Sequence, residues 1–516
     1  MTLWLLGNQL SRDAAPLASE DSVLLIEADE FGERLPYHPY KLTLVFSAMR
    51  HFRDDLREAG YDVTYVQAET FREGLEQYYS AAPDDDLVLM RPAAHRGGER
   101  LQALVDSVGG QLTLVENDLF VTTPDEWEAW ADGRGDSYRQ EHWYRHVRRE
   151  TGVLMEDGDP VGGEWNYDDH NRETPPDDWS PPPTPTFEPD EITREVHDFV
   201  TERYDHLWGN HDLDEFCWPV TRAEALQALE QFVTVRLPAF GPYQDAMVDG
   251  EWALSHSLLS PAINLGLLDP LEVVERVTDA YEERGVAAGA PAEEVHREGT
   301  LPLNSVEGFV RQLIGWREFM RHVYREAMPE LSATNQLDAT RELPELYYTG
   351  ETDMHCMSEA VGHVWDRGYA HHIERLMLLS NFATLYGADP HELDEWFRFG
   401  FVDAYDWVTT PNTVGMGSFA TDLLSSKPYT SSANYVDKMS DHCASCPYYH
   451  TKTTGERACP FNSLYWDFLK ENEETLRNTG RMGLMYSHVD RKSDEEWTEI
   501  RERAATVREM ARDGEL

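Results

Sequence analysis

The sequence predicts two dissimilar parts: an N-terminal α/β domain built on a doubly wound parallel sheet, and a large all-α C-terminal domain. Three observations predict this. Short apolar runs alternate with helical patterns over roughly the first 120 residues. A proline- and acid-rich stretch follows, "GEWNYDDHNRETPPDDWSPPPTPTFEPDE". After about residue 221, apolar residues recur at helical spacing to the end. The expected divisions are residues 1–130, a connector over 131–220, and 221–516.

The five runs read as strands are "LWLLG" (3–7), "SVLLIEA" (22–28), "DVTYV" (62–66), "DLVLM" (86–90) and "QLTLVEN" (111–117). Between the second and third, Leu42, Val45, Phe46, Met49, Phe52 and Leu56 mark one helical face, closed by Gly60. Strands alternating with helices pair in parallel. No G-x-G-x-x-G follows the first strand, so the dinucleotide fingerprint is missing. The connector is expected to run extended over a surface. Beyond it, "TRAEALQALEQFVTVRL" carries a Thr221 N-cap, and "SVEGFVRQLIGWREFMRHVYREAM" and "HHIERLMLLSNFATLYG" continue the helical pattern.

Composition narrows the class further. No run approaches 18 apolar residues, which argues against a membrane span. The N-terminus "MTLWLLGNQLSRD" has no basic region or cleavage site of the secretory type. Five unevenly spaced cysteines do not make a disulfide scaffold, so a reducing cytoplasm is expected. The net charge is −52, and six lysines leave 38 arginines among the 44 basic residues. Such a surface suits concentrated salt, where charge keeps the chain hydrated and self-repulsion is screened. The expectation is a halophile.

Several groups can carry chemistry. Cys443, Cys446 and Cys459 form Cys-x2-Cys-x12-Cys, with Cys356 the best fourth thiol, 87 residues upstream of Cys443. Four thiolates suit zinc or an iron–sulfur cluster, with His442 and His450 as alternative zinc ligands. Cys217 stands alone and reads as core. Ser257 and Ser260 open a helix whose N–H groups suit a phosphate, or simply cap it. His371 and His372 precede an apolar helix with Arg375 one turn on; a histidine at a cleft can donate a proton near neutral pH. Trp396, Tyr405 and Trp407 are core aromatics or stations for electron transfer. Arginines 134, 139, 145, 148 and 149, with interleaved Tyr138, Trp143 and Tyr144, and the Arg317, Arg321, Arg325 face suit nucleic-acid contact or local ion pairs.

Together these segments resemble the photolyase/cryptochrome flavoproteins, specifically their prokaryotic iron–sulfur branch. The resemblance spans nearly the whole chain and rests on "SAMRHF", "RRETGVLM", "PVGGEWNYDDHNR", "FGPYQDAM", "HSLLSPAINLGLL", "GFVRQLIGWREF", "WVTTPNTVGM" and "ACPFNSLYWDFL". It implies an N-terminal antenna domain and a helical domain holding FAD bent into a U. It implies a [4Fe–4S] cluster on Cys356, Cys443, Cys446 and Cys459. By position, Tyr243, Ser257, Leu258, Leu259, Ser260, Gln312, Trp316, Arg375 and Asp403 fall in the flavin pocket, with His256 replacing a threonine of the family's phosphate turn. Thr409 falls opposite flavin N5, where relatives carry Asn or an acid. Trp396 and Tyr405 match the branch's electron route.

His372 falls where enzymes for pyrimidine (6-4) photoproducts carry their histidine, and Leu376 where animal members carry a second one. The resemblance thus implies light-driven repair of UV-damaged DNA by a monomer. Flavin would give an electron and protonated His372 a proton to a flipped-out lesion. A ribityllumazine antenna is the branch's usual second chromophore; His38 and Lys41 are kept, while Pro39 and "EFGERL" depart from the usual pattern. The competing expectations are a blue-light receptor without repair, and a non-enzymatic nucleic-acid module using a cluster or zinc, akin to the large primase subunit.

Overall fold

The computed structural model describes residues 1–134, 138–176, 179–290, 299–479 and 481–516. Residues 135–137 of the arginine-rich stretch and 177–178 of the proline-rich one lie outside them. The five expected strands all form: β1 (Thr2–Leu5), β2 (Ser22–Ala28), β3 (Asp62–Ala68), β4 (Asp86–Met90) and β5 (Gln111–Val115). They make one parallel sheet in the order β3-β2-β1-β4-β5, with β2 and β3 in register from Ser22 opposite Asp62 to Ala28 opposite Ala68.

Alternation along the strands builds two separate cores. Leu3, Leu5, Val23, Leu25, Val88 and Met90 face the helix Pro39–Glu58 and join the core that runs on into the helical domain. Trp4, Leu24, Ile26, Leu87 and Leu89 face the other way, into a smaller cluster with Leu75, Tyr78 and Val105. The strand order reverses between β1 and β4, the usual crevice for a nucleotide. Here Gln9 spans it, its side-chain amide donating to the Met90 carbonyl at 2.9 Å. The Leu10 N–H then donates to Leu265 of the helical domain at 2.8 Å. The crevice is closed by the chain itself, in keeping with the missing glycine fingerprint.

The proline-rich stretch of the connector lacks regular structure. Its described residues 164–176 and 179–190 are irregular apart from the short turn Asp168–His170, and the helices Gln140–Thr151 and Glu191–Arg203 flank them. The second is capped by Asp190 and buries Val196 and Val200 against Pro39–Glu58. Averaged composition hid this spacing, because exposed acids fill the other face.

The rest is helical. Thr221 caps Arg222–Gln231 as expected, in a reciprocal pair with Glu224. Four segments widen to the π form: Phe232–Arg236, Arg311–Arg317, Glu374–Ser380 and Pro411–Gly417. Such turns recur at functional sites because they re-aim side chains within a helix. One close approach depends on glycine: a Cβ at Gly241 would lie 2.7 Å from the Ser305 backbone. No helix among the described residues is long and apolar enough to cross a membrane.

Candidate active site and thiol cage

Three chain-distant segments meet in the helical domain. The first is the turn 256–260. Leu258 has φ 60 and Leu259 follows at φ −90, a left-handed then right-handed pair. That sequence of conformations curls successive N–H groups into a concavity suited to an anion. Ser260 then opens the helix Ser260–Leu265 and donates from its hydroxyl to Asp403 Oδ2 at 2.7 Å.

Asp403 is buried and belongs to the second segment. The Arg375 guanidinium donates to both its carboxylate oxygens, each at 3.1 Å. Arg375 also donates to the Ala370 carbonyl at 2.6 Å and lies over the rings of Tyr369 and Phe401, at 4.7 and 4.3 Å. Bidentate pairing and ring contacts fix this cation in one orientation.

The third segment is His371–His372. His371 is fully buried, and its ring stacks on His256 with centroids 4.7 Å apart and planes at 10°. His372, its neighbour, is exposed. Yet protein crowds the ring at longer range, and that bulk, with Arg375, holds its pKa down to about 4. An open surface within dense surroundings describes a ring on the wall of a recess. Dense surroundings and Arg375 thus favour the neutral imidazole in the free protein.

The other expected residues are placed as follows. Tyr243 is buried at the end of Leu237–Tyr243, its ring 4.9 Å from Trp179. Gln312 and Trp316 lie one turn apart on the wide segment Arg311–Arg317, both half-buried. That segment continues into Glu318–Ala327, which packs on Asp406–Thr410, the helix of buried Thr409. Ser257 accepts the Leu259 N–H at 3.4 Å. Tyr405 has a buried hydroxyl without a hydrogen-bond partner. Trp396 is fully buried, 5.7 Å from Phe401 and so one ring away from Arg375.

Sequence reasoning missed what lies beyond Trp396. Trp208 sits 5.9 Å from it, and Trp365 5.2 Å from Trp208, all edge-on, ending on a ring 41% exposed. Nothing in the spacing of these three could have joined them.

The thiols form a second site. Cys356 is in the first turn of His355–Arg367, Cys443 and Cys446 lie on and beside the short turn His442–Ser445, and Cys459 precedes Pro460–Glu471. All four line one small cavity, with Met354, Ala433, Val436, Tyr448 and Phe461. Burial, and then the three other cysteines, pushes the Cys356 thiol well up. Four thiols around one cavity, with His442 and His450 also on its lining, suit a metal centre of the zinc or iron–sulfur kind. The alternative ligands are thus at hand too: His450 Nδ1 lies 2.6 Å from Asp437, and Asp437, Cys443 and His450 bring ligand atoms within 4.8 Å of one another. Cys217 is apart and buried, and burial pushes it up to about 11.

Two further expectations change. His38 is fully buried, with Nε2 2.9 Å from the Trp365 carbonyl, and the Lys41 ammonium donates to the carbonyls of Arg398, Phe401 and Ala404. Both tie the two domains together, so neither is free to hold an antenna. Arg317 and Arg321 are buried and stack on Phe120 of the first domain, at 4.5 and 3.8 Å. Two of that face's three arginines thus belong to an internal seam, and Arg325 is exposed. In the earlier stretch, Arg139 and Arg149 are exposed.

A five-stranded parallel sheet domain docked on a helical domain is a plan found elsewhere. Two solved structures share it. A class III photolyase from Agrobacterium tumefaciens superposes with a TM-score of 0.60 at 17% identity, covering 99% of this chain and 97% of that one. A cryptochrome from Synechocystis gives 0.57 at 12% identity, covering 99% and 98%. At these identities the likeness is one of fold. The model of the deoxyribodipyrimidine photo-lyase-related proteins matches residues 3–218. A (6-4) photolyase from Agrobacterium fabrum is 38% identical over 512 residues, 97% of each chain. The chain belongs to the photolyase/cryptochrome family. A full-length relative of this kind sets aside the non-enzymatic nucleic-acid module.

Proposed function

We propose that this protein is a light-driven repair enzyme for pyrimidine (6-4) photoproducts in DNA, with His372 as the proton donor. The observation that carries the proposal is the exposed ring of His372 beside the Arg375–Asp403 pair, in a chain 38% identical to a (6-4) photolyase over its length.

FAD belongs in the helical domain, held by the 257–260 turn at its phosphates and by Tyr243, Gln312, Trp316, Arg375, Asp403 and Thr409 around its rings. When bound and reduced, it supplies a light-driven electron to the lesion. The protein's own task is to orient and protonate. Asp403 and Ser260 lock Arg375, which sets the charge along one side of the recess. His372 stays neutral until a phosphate-bearing ligand enters; the added negative charge raises its pKa and loads the proton it then gives. Flipping is cheapest at a damaged, poorly stacked step, which supplies part of the selectivity. Trp396 and Tyr405 are assigned to electron supply, and Cys356, Cys443, Cys446 and Cys459 to a [4Fe–4S] cluster of structural role. The antenna assignment extends to a ribityllumazine, without His38 or Lys41. The enzyme works as a monomer in the cytoplasm of a halophile, so assays belong at high salt.

The test is blue-light repair of a (6-4)-damaged oligonucleotide by the reduced protein and by His372→Ala. Repair by the wild type that falls by about 10²–10⁴ in the variant supports the assignment. Undiminished repair in the variant removes His372 from the mechanism. A wild type that takes up light and flavin yet repairs nothing is a receptor.

A further inference from the structure

Behind His371 lies a line of buried titratable groups that the proposed mechanism leaves unused. His371 Nε2 sits 3.6 Å from Glu374 Oε2, and both side chains are at most 1% exposed. The other oxygen of Glu374 is 3.0 Å from His363 Nδ1. His363 Nε2 lies 3.9 Å from Glu359, whose side chain is 28% exposed. The line therefore runs from the surface of the helix His355–Arg367 to the buried ring of His371, next in the chain to His372. Both ring nitrogens of His371, and Nε2 of His256 stacked on it, are buried without a hydrogen-bond partner. Orphaned ring nitrogens at the inner end are places where a proton can arrive.

We propose that Glu359, His363, Glu374 and His371 form a proton relay that enters the recess from behind and supplies the proton His372 gives up. The inference rests on the repair function proposed above. Its logic is access: His372 meets solvent through the mouth of the recess, and a bound lesion covers that mouth. The second route stays open. In one passage, His363 gives its Nδ1 proton to Glu374 Oε1 and takes another at Nε2 from Glu359 or water. Glu374, now a carboxylic acid, turns about its Cγ–Cδ bond to carry that proton to His371 Nε2 and is a carboxylate again, while His371 loses its Nδ1 proton to the recess. One proton enters and one leaves, and no electron moves.

The charges along the line favour that direction. His363 is pushed up although burial alone would lower it, because Glu374 pairs with it, helped by Glu359 and Asp366; Glu251 also faces it. His371 is held well down, first by burial and then by His256, His363, His372 and Arg375. Glu374 also faces His442 and Tyr369. The outer end is loaded, the inner end is empty, and a carboxylate joins them.

The experiment compares wild type, Glu374→Gln and His363→Ala, as full-length flavin-loaded protein on a (6-4)-damaged oligonucleotide. Single-flash repair near pH 8 should fall about tenfold in both variants, with a larger solvent deuterium effect. Added imidazole should restore His363→Ala and leave Glu374→Gln impaired, a pattern that simple loss of packing does not produce. In the dark complex with the oligonucleotide, 15N-histidine NMR should show slower exchange of the His371 ring N–H in both variants. Wild-type repair, isotope effect and exchange in Glu374→Gln overturn the relay. If the wild type repairs nothing, the repair function fails, and the dark exchange measurement still decides the relay.

Discussion

The thiol cage and the His372 recess lie in the same helical domain and are built on opposite principles. The cage gathers four copies of one side chain, three of them within 17 residues of sequence, and lines the gaps with Met, Val, Tyr and Phe. The recess gathers dissimilar groups from residues 256 to 403, and each is oriented by a neighbour: Ser260 and Arg375 on Asp403, His371 on His256. A metal centre needs a donor set, which residue identity announces. A proton-handling site needs relative positions, which it does not.

The sharpest way to break this contrast is Cys459→Ser. It should abolish the metal content, read as iron per chain, and destabilise the fold in which Pro460–Glu471 is anchored. A protein that keeps its iron would mean the cage does not act as one donor set.

Next is Asp403→Asn, which leaves Arg375 facing a neutral partner. We expect a loss of about 2–3 kcal/mol in denaturant unfolding, below the range for fully buried pairs because Arg375 keeps some solvent contact. Flavin should bind more weakly while iron content is unchanged.

Acid should find the sheet–helix seam and the recess before the cage. Burial holds His38 down to about 4, His256 to about 3 and His322 to about 2, against 6.5 for a free ring. Between pH 6.5 and about 4 the unfolded chain then binds more protons than the folded one, so stability falls as pH falls through that window. Going from about pH 7 to 5 should lower Tm by about 5–10 °C. A flat thermal profile would mean these rings have partners that stabilise their charge.

The smallest effect is expected at Cys217→Ala. This thiol is buried outside the cage, so its removal should cost about 1 kcal/mol or less and leave iron at the wild-type level. A loss of iron would extend the donor set beyond four.

Much of the fold was legible in the chain. The five parallel strands announced themselves as apolar runs, and Cys356 was identifiable as the fourth thiol across 87 residues because no other thiol was available but Cys217. The connector helix Glu191–Arg203 was not, since its apolar stripe is diluted by acids on its exposed face. Arg317 and Arg321 misled for a related reason. A cation at helical spacing looks the same whether it faces a phosphate or, as here, the ring of Phe120. At the recess, the resemblance supplied the residues but no one sequence window contains the stacking of His256 on His371 or the pairing of Glu374 with His363. Those are contacts between helices, and local periodicity carries no record of them.

Lys41 has a consequence for how the molecule can be taken apart. It is one of only six lysines, it comes from the sheet domain, and its ammonium is clasped by the backbone just before and after Phe401, with burial holding its pKa down to about 7. Phe401 is the ring beneath Arg375, and Asp403 is two residues on. The amino-terminal part is thus fastened to the wall that carries Arg375 and Asp403. Expressing the helices alone would leave three carbonyls without their donor and let that wall drift.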